Sequence, residues 1–332
     1  MRRVFVAALL LPLLVACTDS EPVRLTGGTM GTTWSISIAD SGDRDLEALH
    51  LEVMQSLAGL NAAMSTWDSD SEISQFNQMP AGCMSISPAF AGVVAASLDI
   101  SQATDGAYDI SLSPLIDLWG FGAEGEVVAP TEKQVAELLA QTGYQNLDVE
   151  ERNLCKRFDD IQINLSSIAK GYGVDVVADL LKEQGIENFL VEIGGELFAS
   201  GSKNGEPWRV GVENPASQGG QSAILALPLE NQAVATSGDY RNFFVLDGKR
   251  YSHILDARRG RPIHNQIASA TVIADSVMLA DGWATALMTV GSERAVEIAD
   301  EQGLAILLIL HEEDGFQSLA NGRWVSQFGE PE

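Results

Sequence analysis

The chain has 332 residues, 45% of them hydrophobic, with 20 Lys and Arg against 46 Asp and Glu, a formal net charge of −26. That length and apolar content supply a sizeable core and exclude a disordered acidic chain. The charge excludes nucleic acid as a ligand held by phosphate neutralisation, and any small anionic substrate needs a local cation or a metal ion to offset the field.

Residues 1–16 read as a targeting signal. Arg2 and Arg3 precede an apolar run from Val4 to Val15, too short for a permanent membrane span. Leu14-Val15-Ala16-Cys17 resembles a bacterial lipoprotein signal, with Cys17 as the lipidated first residue of the mature chain. Processing leaves 18 Lys and Arg and a net charge of −28. Residues 17–24 form a lipidated tether, and 25–332 the folded domain. The expected location is the periplasmic face of a bacterial membrane, with Thr18 in second place weakly favouring the outer one. Cys83 and Cys155 remain; an oxidising compartment lets two such cysteines pair, and neither has metal-ligand spacing.

A glycine turn from Gly28 enters a strand ending at Ile38. Leu46, Leu49, Val53, Leu57, Leu60 and Met64 recur at helical spacing and predict a helix over 43–64. Ser87-Pro88 opens a second over 88–103, and Pro130 a third over 131–142, with 105–122 irregular between them. A strand Ile161–Leu165 is predicted to run into a helix capped by Ser166 and stopped by Gly185. Strands follow at Phe189–Ile193, 207–212, 222–229, 242–246 and 268–274. Helices at 275–289 and Ser292–Gln302, the strand Leu304–Leu310 and a final strand near Trp324 complete an α+β (mixed α/β) chain, not a doubly wound sheet.

No Walker loop, no G-x-G-x-x-G after a leading strand and no G-x-S-x-G elbow is present. Ser167 and Lys170 have the S-x-x-K spacing, but the partner elements of that hydrolase class are missing. Of the four histidines, His50, His253, His264 and His311, His253 is singled out, near several arginines and Gly260. Asp281 and Thr285, four apart in a predicted helix, share one face and can reach one hard cation such as magnesium.

Taken together, Gly28-Thr29-Met30-Gly31-Thr32, Ser65-Thr66-Trp67, Gly106-Ala107-Tyr108-Asp109, Leu118-Trp119-Gly120-Phe121-Gly122, Ile168-Ala169-Lys170-Gly171-Tyr172, Gly194-Gly195-Glu196, Ala235-Thr236-Ser237-Gly238, His253-Ile254 and Ala280-Asp281 through Leu287 resemble the ApbE family. The blocks run in family order over residues 25–290. The resemblance implies a fold of two lobes around a central FAD and magnesium cleft. It implies transfer of FMN from FAD to a Thr or Ser hydroxyl of a target protein, releasing AMP, with acceptors among subunits of Nqr- or Rnf-type electron-transfer complexes. By the same resemblance Asp281, Thr285 and the backbone carbonyl of Ser167 hold Mg2+, and Asp281 counts among the catalytic groups. Met30 and Trp67 pack on a ring of FAD; Ala107, Tyr108, Asp109, Asn164, Lys170 and Ile254 line the rest of its site. His253 handles the proton beside the acceptor hydroxyl.

The chain departs from the family pattern at Asn164 (usually Asp), Trp67 (usually Tyr), Glu192 (usually Asn) and Ala257 (usually Pro). Two other activities fit the same residues: a magnesium-dependent FAD pyrophosphatase giving FMN and AMP, and a non-catalytic FAD-binding lipoprotein.

Overall fold

The computed structural model describes residues 21–122, 129–216, 222–313 and 315–331. The signal 1–16, Cys17 and Thr18 lie outside them. Among the described residues no helix is long and apolar enough to cross a membrane.

Eight strands form one antiparallel sheet, in the order Val23–Thr29, Thr32–Ile38, Phe189–Ile193, Glu196–Ser200, Gln232–Gly238, Ile267–Ala274, Ala305–Glu312, Gly315–Ala320. The sheet starts inside the predicted tether, at Val23. Both faces are covered, and the alternation shows it. Along Ala305–Glu312, Ile306, Leu308 and Leu310 enter the main core, while Ala305, Leu307 and Ile309 enter a second. The second core lies under a small sheet of Glu206–Glu213 with Ala223–Leu229, contributing Trp208, Val210 and Leu227.

The helices are α1 (Leu46–Met64), α2 (Glu72–Gln78), α3 (Pro88–Ala103), α4 (Ser113–Leu118), α5 (Glu132–Leu139), α6 (Ala169–Glu183), α7 (Val277–Val290), α8 (Ser292–Gln302) and α9 (Gly322–Phe328). Caps explain most starts. Asp45 Oδ1 accepts from the amides of Glu47 and Ala48, so α1 begins three residues after the predicted 43. Ser87 caps α3 with Pro88 in its first turn, and Thr131 caps α5 in a reciprocal capping box with Gln134.

Four expectations fail for local reasons. Ser166 does not cap α6: its amide donates to Asn164 Oδ1 at 2.9 Å in a turn before the helix, which begins at Ala169 after Ile168 with no side-chain cap. Ile161–Leu165 is not a strand; its single ladder contact is a bridge from Gln162 to Leu112. The final strand is Gly315–Ala320, and Trp324 lies in α9, where Asn321 caps its amide and Phe328 stacks on it four residues later. The stretch 105–122, read as irregular, contains α4.

Gly82–Ser85, Asn153–Lys156 and Leu147–Glu150 pair as a separate three-stranded sheet. Cys83 faces Cys155 in that register and the two form a disulfide closing a separation of 72 residues. Chain-entropy arguments give a loop of that order about 4 kcal/mol. Reducing it, or Cys83→Ser with Cys155→Ser, is expected to lower the unfolding free energy from urea titration by roughly that amount, with a lower midpoint, while leaving FAD affinity within about twofold. An unchanged midpoint would contradict a stabilising role.

Candidate active site

α6 and α7 meet at Gly171, where an added Cβ would overlap the Val277 carbonyl and stand 2.8 Å from Asp281 Cβ. Only glycine permits that approach, and it places the start of α6 against Asp281. α7 is itself fixed by Ser276, which caps Leu279, and by Asp175, whose two oxygens accept from the amides of Val277 and Met278.

Asp281 is 2% exposed. Its Oδ2 accepts from the Gly171 amide at 3.0 Å, and Lys170 Nζ lies 3.5 Å from both carboxylate oxygens. The same ammonium donates to the Ser166 carbonyl at 3.0 Å and stands 3.8 Å from Glu196 Oε1. Burial pushes the Asp281 carboxyl upward, against Lys170 and the Gly171 amide, which hold it down. Burial also pulls Lys170 downward, but Asp281 and then Glu196 outweigh it, so the ammonium stays charged. Glu196 is pushed up to about 8, first by burial, with Lys170 opposing. Its Oε2 is buried and has no hydrogen-bond partner among the described residues.

Two carboxyl groups share one ammonium, and a further cation beside them would favour the ionised form of Glu196. Thr285, one turn after Asp281 on α7, shares a 2.8 Å hydrogen bond with Ser237 Oγ from the central sheet. Asp281, Thr285, Ser237 and Ser167 thus offer hard oxygen donors beside an unsatisfied carboxylate oxygen, chemistry that fits a magnesium ion. No group of three His, Cys, Asp or Glu set to hold a metal occurs among the described residues; this donor set is one carboxylate with hydroxyls.

Three cavities meet here, and Asn164, Ser166 and Lys170 line all of them. One, of about 600 Å³, is apolar, with Met30, Leu60, Met64 and Trp67. Another, of about 550 Å³, is polar and reaches Asn242 and His253. The smallest, of about 140 Å³, is walled by Tyr108, Ser167, Ser237, Ile254 and Thr285. Met30 sits at positive φ (48°) in the turn before Gly31, which turns its side chain toward the apolar cavity.

His253 Nδ1 lies 2.9 Å from the Asn242 carbonyl. A carbonyl only accepts, so Nδ1 carries the proton and Nε2 keeps the free lone pair. Burial lowers its pKa below the usual histidine range, and the Lys170 and Arg241 cations add to that, opposed by the Asn242 bond.

Some candidates sit differently from expectation. Trp67 is 76% exposed, at the rim of the two larger cavities. Ala107 is fully buried, and its carbonyl accepts from the Ala257 amide at 3.0 Å, a bond that proline at 257 could not donate. The Asp109 carboxylate is occupied by the amides of Ser111 (2.7 Å) and Tyr144 (2.6 Å), so it braces a loop at the cavity edge. Tyr108 is pushed up to about 12 by burial, and its hydroxyl shares a 2.9 Å bond with Ser167 Oγ. Glu192 accepts from the Gly195 amide at 2.8 Å, holding the Gly194-Gly195 turn that delivers Glu196. Sequence reasoning quoted Glu196 and Ser237 within family blocks but gave them no role, and it did not name Arg241, whose guanidinium is anchored by Glu213 and donates to the Gly194 carbonyl.

A family model described as the ApbE family matches residues 30–308. A protein of Vibrio cholerae described as FAD:protein FMN transferase is 43% identical over 97% of both chains, and one of Haemophilus influenzae with the same description is 38% identical over 91% of both. The solved flavin transferase ApbE from Vibrio cholerae superposes with a TM-score of 0.86 at 40% identity, covering 93% of this chain and 99% of that one. The apo flavinyl transferase ApbE of Pseudomonas stutzeri gives 0.85 at 38% identity, covering 95% and 99%. With the matched residues spanning the whole cleft, the chain belongs to the ApbE family.

Proposed function

We propose that the chain transfers the FMN part of FAD to a Ser or Thr hydroxyl of an acceptor protein, in a magnesium-dependent reaction that releases AMP. One observation carries most weight: a single ammonium, Lys170, stands where a polar, an apolar and a small cavity join. FAD has a ring system at each end and a diphosphate between them, and it matches a branched cleft with a cation at the junction. Apolar Met30, Leu60 and Met64 suit a flat ring; a thioether adapts to its face.

Asp281, Thr285 and the Ser167 carbonyl would hold the magnesium, which when bound neutralises charge on the diphosphate. Lys170 orients the phosphate from the other side. The acceptor oxygen attacks the FMN phosphorus, the phosphoanhydride bond breaks, and AMP leaves with the bridging oxygen. The acceptor proton passes to His253 Nε2, which the Asn242 carbonyl holds in the right tautomer.

Mass spectrometry of an acceptor incubated with FAD and magnesium tests this. One added FMN with stoichiometric AMP supports transfer; free FMN plus AMP with an unlabelled acceptor supports the pyrophosphatase. The exposure of Trp67 leaves the cleft open to water and keeps that second activity in view. Unchanged FAD with every acceptor would leave a binding protein.

His253→Ala is expected to slow transfer by about 10²–10⁴, the usual span for a positioned base. The neutral imidazole is the active form. Because its pKa is lowered, the wild-type rate should stay level through neutral pH and fall only below the ordinary histidine range, near 6.5. A pH–rate profile whose acid limb survives the alanine substitution would contradict this assignment.

The sequence supports a mature chain starting at Cys17, lipid-anchored at the periplasmic face, with a tether leading to the domain. Acceptor subunits of Nqr- or Rnf-type complexes fit that placement.

A further inference from the structure

Five of the chain's 20 Lys and Arg, Lys249, Arg250, Arg258, Arg259 and Arg261, line one cavity of about 540 Å³, with His264 beside them. In a protein of net charge −26 such a concentration is far from the average surface. The nearby carboxylates are too few to cancel it. Asp256 serves Arg258 and Arg259, Glu132 serves Arg261, and Asp239 serves Arg250. Lys249 has no carboxylate partner among the described residues and lies over the Tyr251 ring at 5.2 Å. Arg259 is 76% exposed and 3.6 Å from its carboxylate, so both cations are available to a ligand.

The cavity backs onto the catalytic one. Thr289, one helical turn beyond Thr285 on α7, lines both. Its other wall is the hairpin of Phe243–Leu246 and Lys249–Ser252, whose strands pair only with each other among the described residues. A run of ring contacts ties that hairpin to the catalytic histidine: Tyr251 on Phe244 at 5.1 Å, Phe244 on Phe121 at 5.2 Å, and Phe121 edge-on to His253 at 6.3 Å. Phe243 and Val245 are 45% and 59% exposed on the same hairpin. A free strand edge carrying Lys249 and Arg250 therefore runs directly into His253, with an apolar footing on its partner strand and the cationic cavity beside it.

We propose that this hairpin and cationic cavity are the docking surface for the acceptor protein, and that they take an acidic segment flanking its reactive hydroxyl. The proposal rests on transfer to a protein. A surface of this charge repels an acidic segment everywhere except at a local cationic patch, so charge complementarity at that patch selects acidic flanks. A segment laid along Lys249–Ser252 continues directly to His253.

The test uses the mature chain and an acceptor protein that the wild type labels. Lys249→Glu with Arg259→Glu should raise the acceptor KM by about tenfold or more, with kcat and the FAD Kd within about twofold. Lys249→Gln with Arg259→Gln should fall between. For the wild type, the acceptor KM should rise with NaCl; for the double Glu variant that dependence should vanish or invert. An unchanged KM in a folded Glu variant, or a salt-independent wild-type KM, overturns the proposal. A weakened FAD Kd also overturns it, by placing these cations in the FAD site. Failure of the wild type to label any protein is a separate outcome, recorded before any variant is compared, and it defeats transfer itself.

Discussion

Asp281→Asn is expected to slow FMN transfer by roughly a thousandfold or more at saturating FAD and magnesium. The estimate follows from charge. The carboxylate is the one anionic side chain in the proposed magnesium donor set, and stabilisation by such an ion amounts to several kcal/mol, at 1.36 kcal/mol per tenfold in rate. Asparagine keeps the shape and one carbonyl oxygen for the Gly171 amide, so α6 and α7 remain joined. It also removes the repulsion that the Asp281 charge imposes on Glu196, leaving that carboxyl as the partner of Lys170. Stability should therefore change little while activity collapses. Titration with manganese, followed by its paramagnetic resonance signal, separates lost metal binding from lost chemistry. Thr285→Val should give a smaller loss of the same kind and Thr285→Ser close to none, because the hydroxyl that meets Ser237 Oγ survives only in serine. Normal transfer by the asparagine variant would remove Asp281 from the mechanism.

Part of the fold was legible in the sequence. Helical spacing put Asp281 and Thr285 on one face, though only the resemblance gave them a metal. Ser87-Pro88 marked the start of α3, while α5 proved shorter than the expected 131–142. The sheet was harder. Gln232–Gly238 reads QAVATSG and has little of the bulky β-branched character that marks a strand. It is small because α7 lies on it, and a residue chosen for close packing hides its secondary structure. Glu196, quoted only within a family block, was given no role for a related reason. In Glu196–Ser200 it shares an inward face with Phe198, so alternation places a carboxylate in the core, where only a cation on another element makes sense of it. That cation, Lys170, is 26 residues earlier, and no local pattern links them. The failed cap at Ser166 is local too: Asn164 Oδ1 holds the Ser166 amide in a turn, and the helix starts two residues beyond Ser167, after Ile168.

Gly171→Ala is the substitution expected to disturb the fold most, and it separates packing from chemistry at the same place. The added methyl would overlap the carbonyl of Val277, a backbone atom that no rotamer change can move, and would press on Asp281 Cβ. The helices must part. Overpacking of this kind costs about 1–3 kcal/mol and occasionally more, and the upper end is expected where backbone meets backbone. Parting α6 from α7 also lengthens the bond from the Gly171 amide to Asp281, so FAD turnover should fall with stability. Two helical glycines provide the contrast. At Gly59 and Gly92 an added Cβ meets nothing within 4 Å, and alanine there should be neutral or stabilise by about 0.5–1 kcal/mol. Gly173→Ala lies between these limits, since its neighbours are the flexible ends of Met30 and Ile193 at 3.2 Å. Its expected signature is a changed FAD affinity through Met30 with little loss of stability. Urea midpoints and FAD Kd for the four variants give the comparison. If Gly171→Ala matched Gly92→Ala in both, close approach of α6 and α7 could not be what sets Asp281 against Lys170.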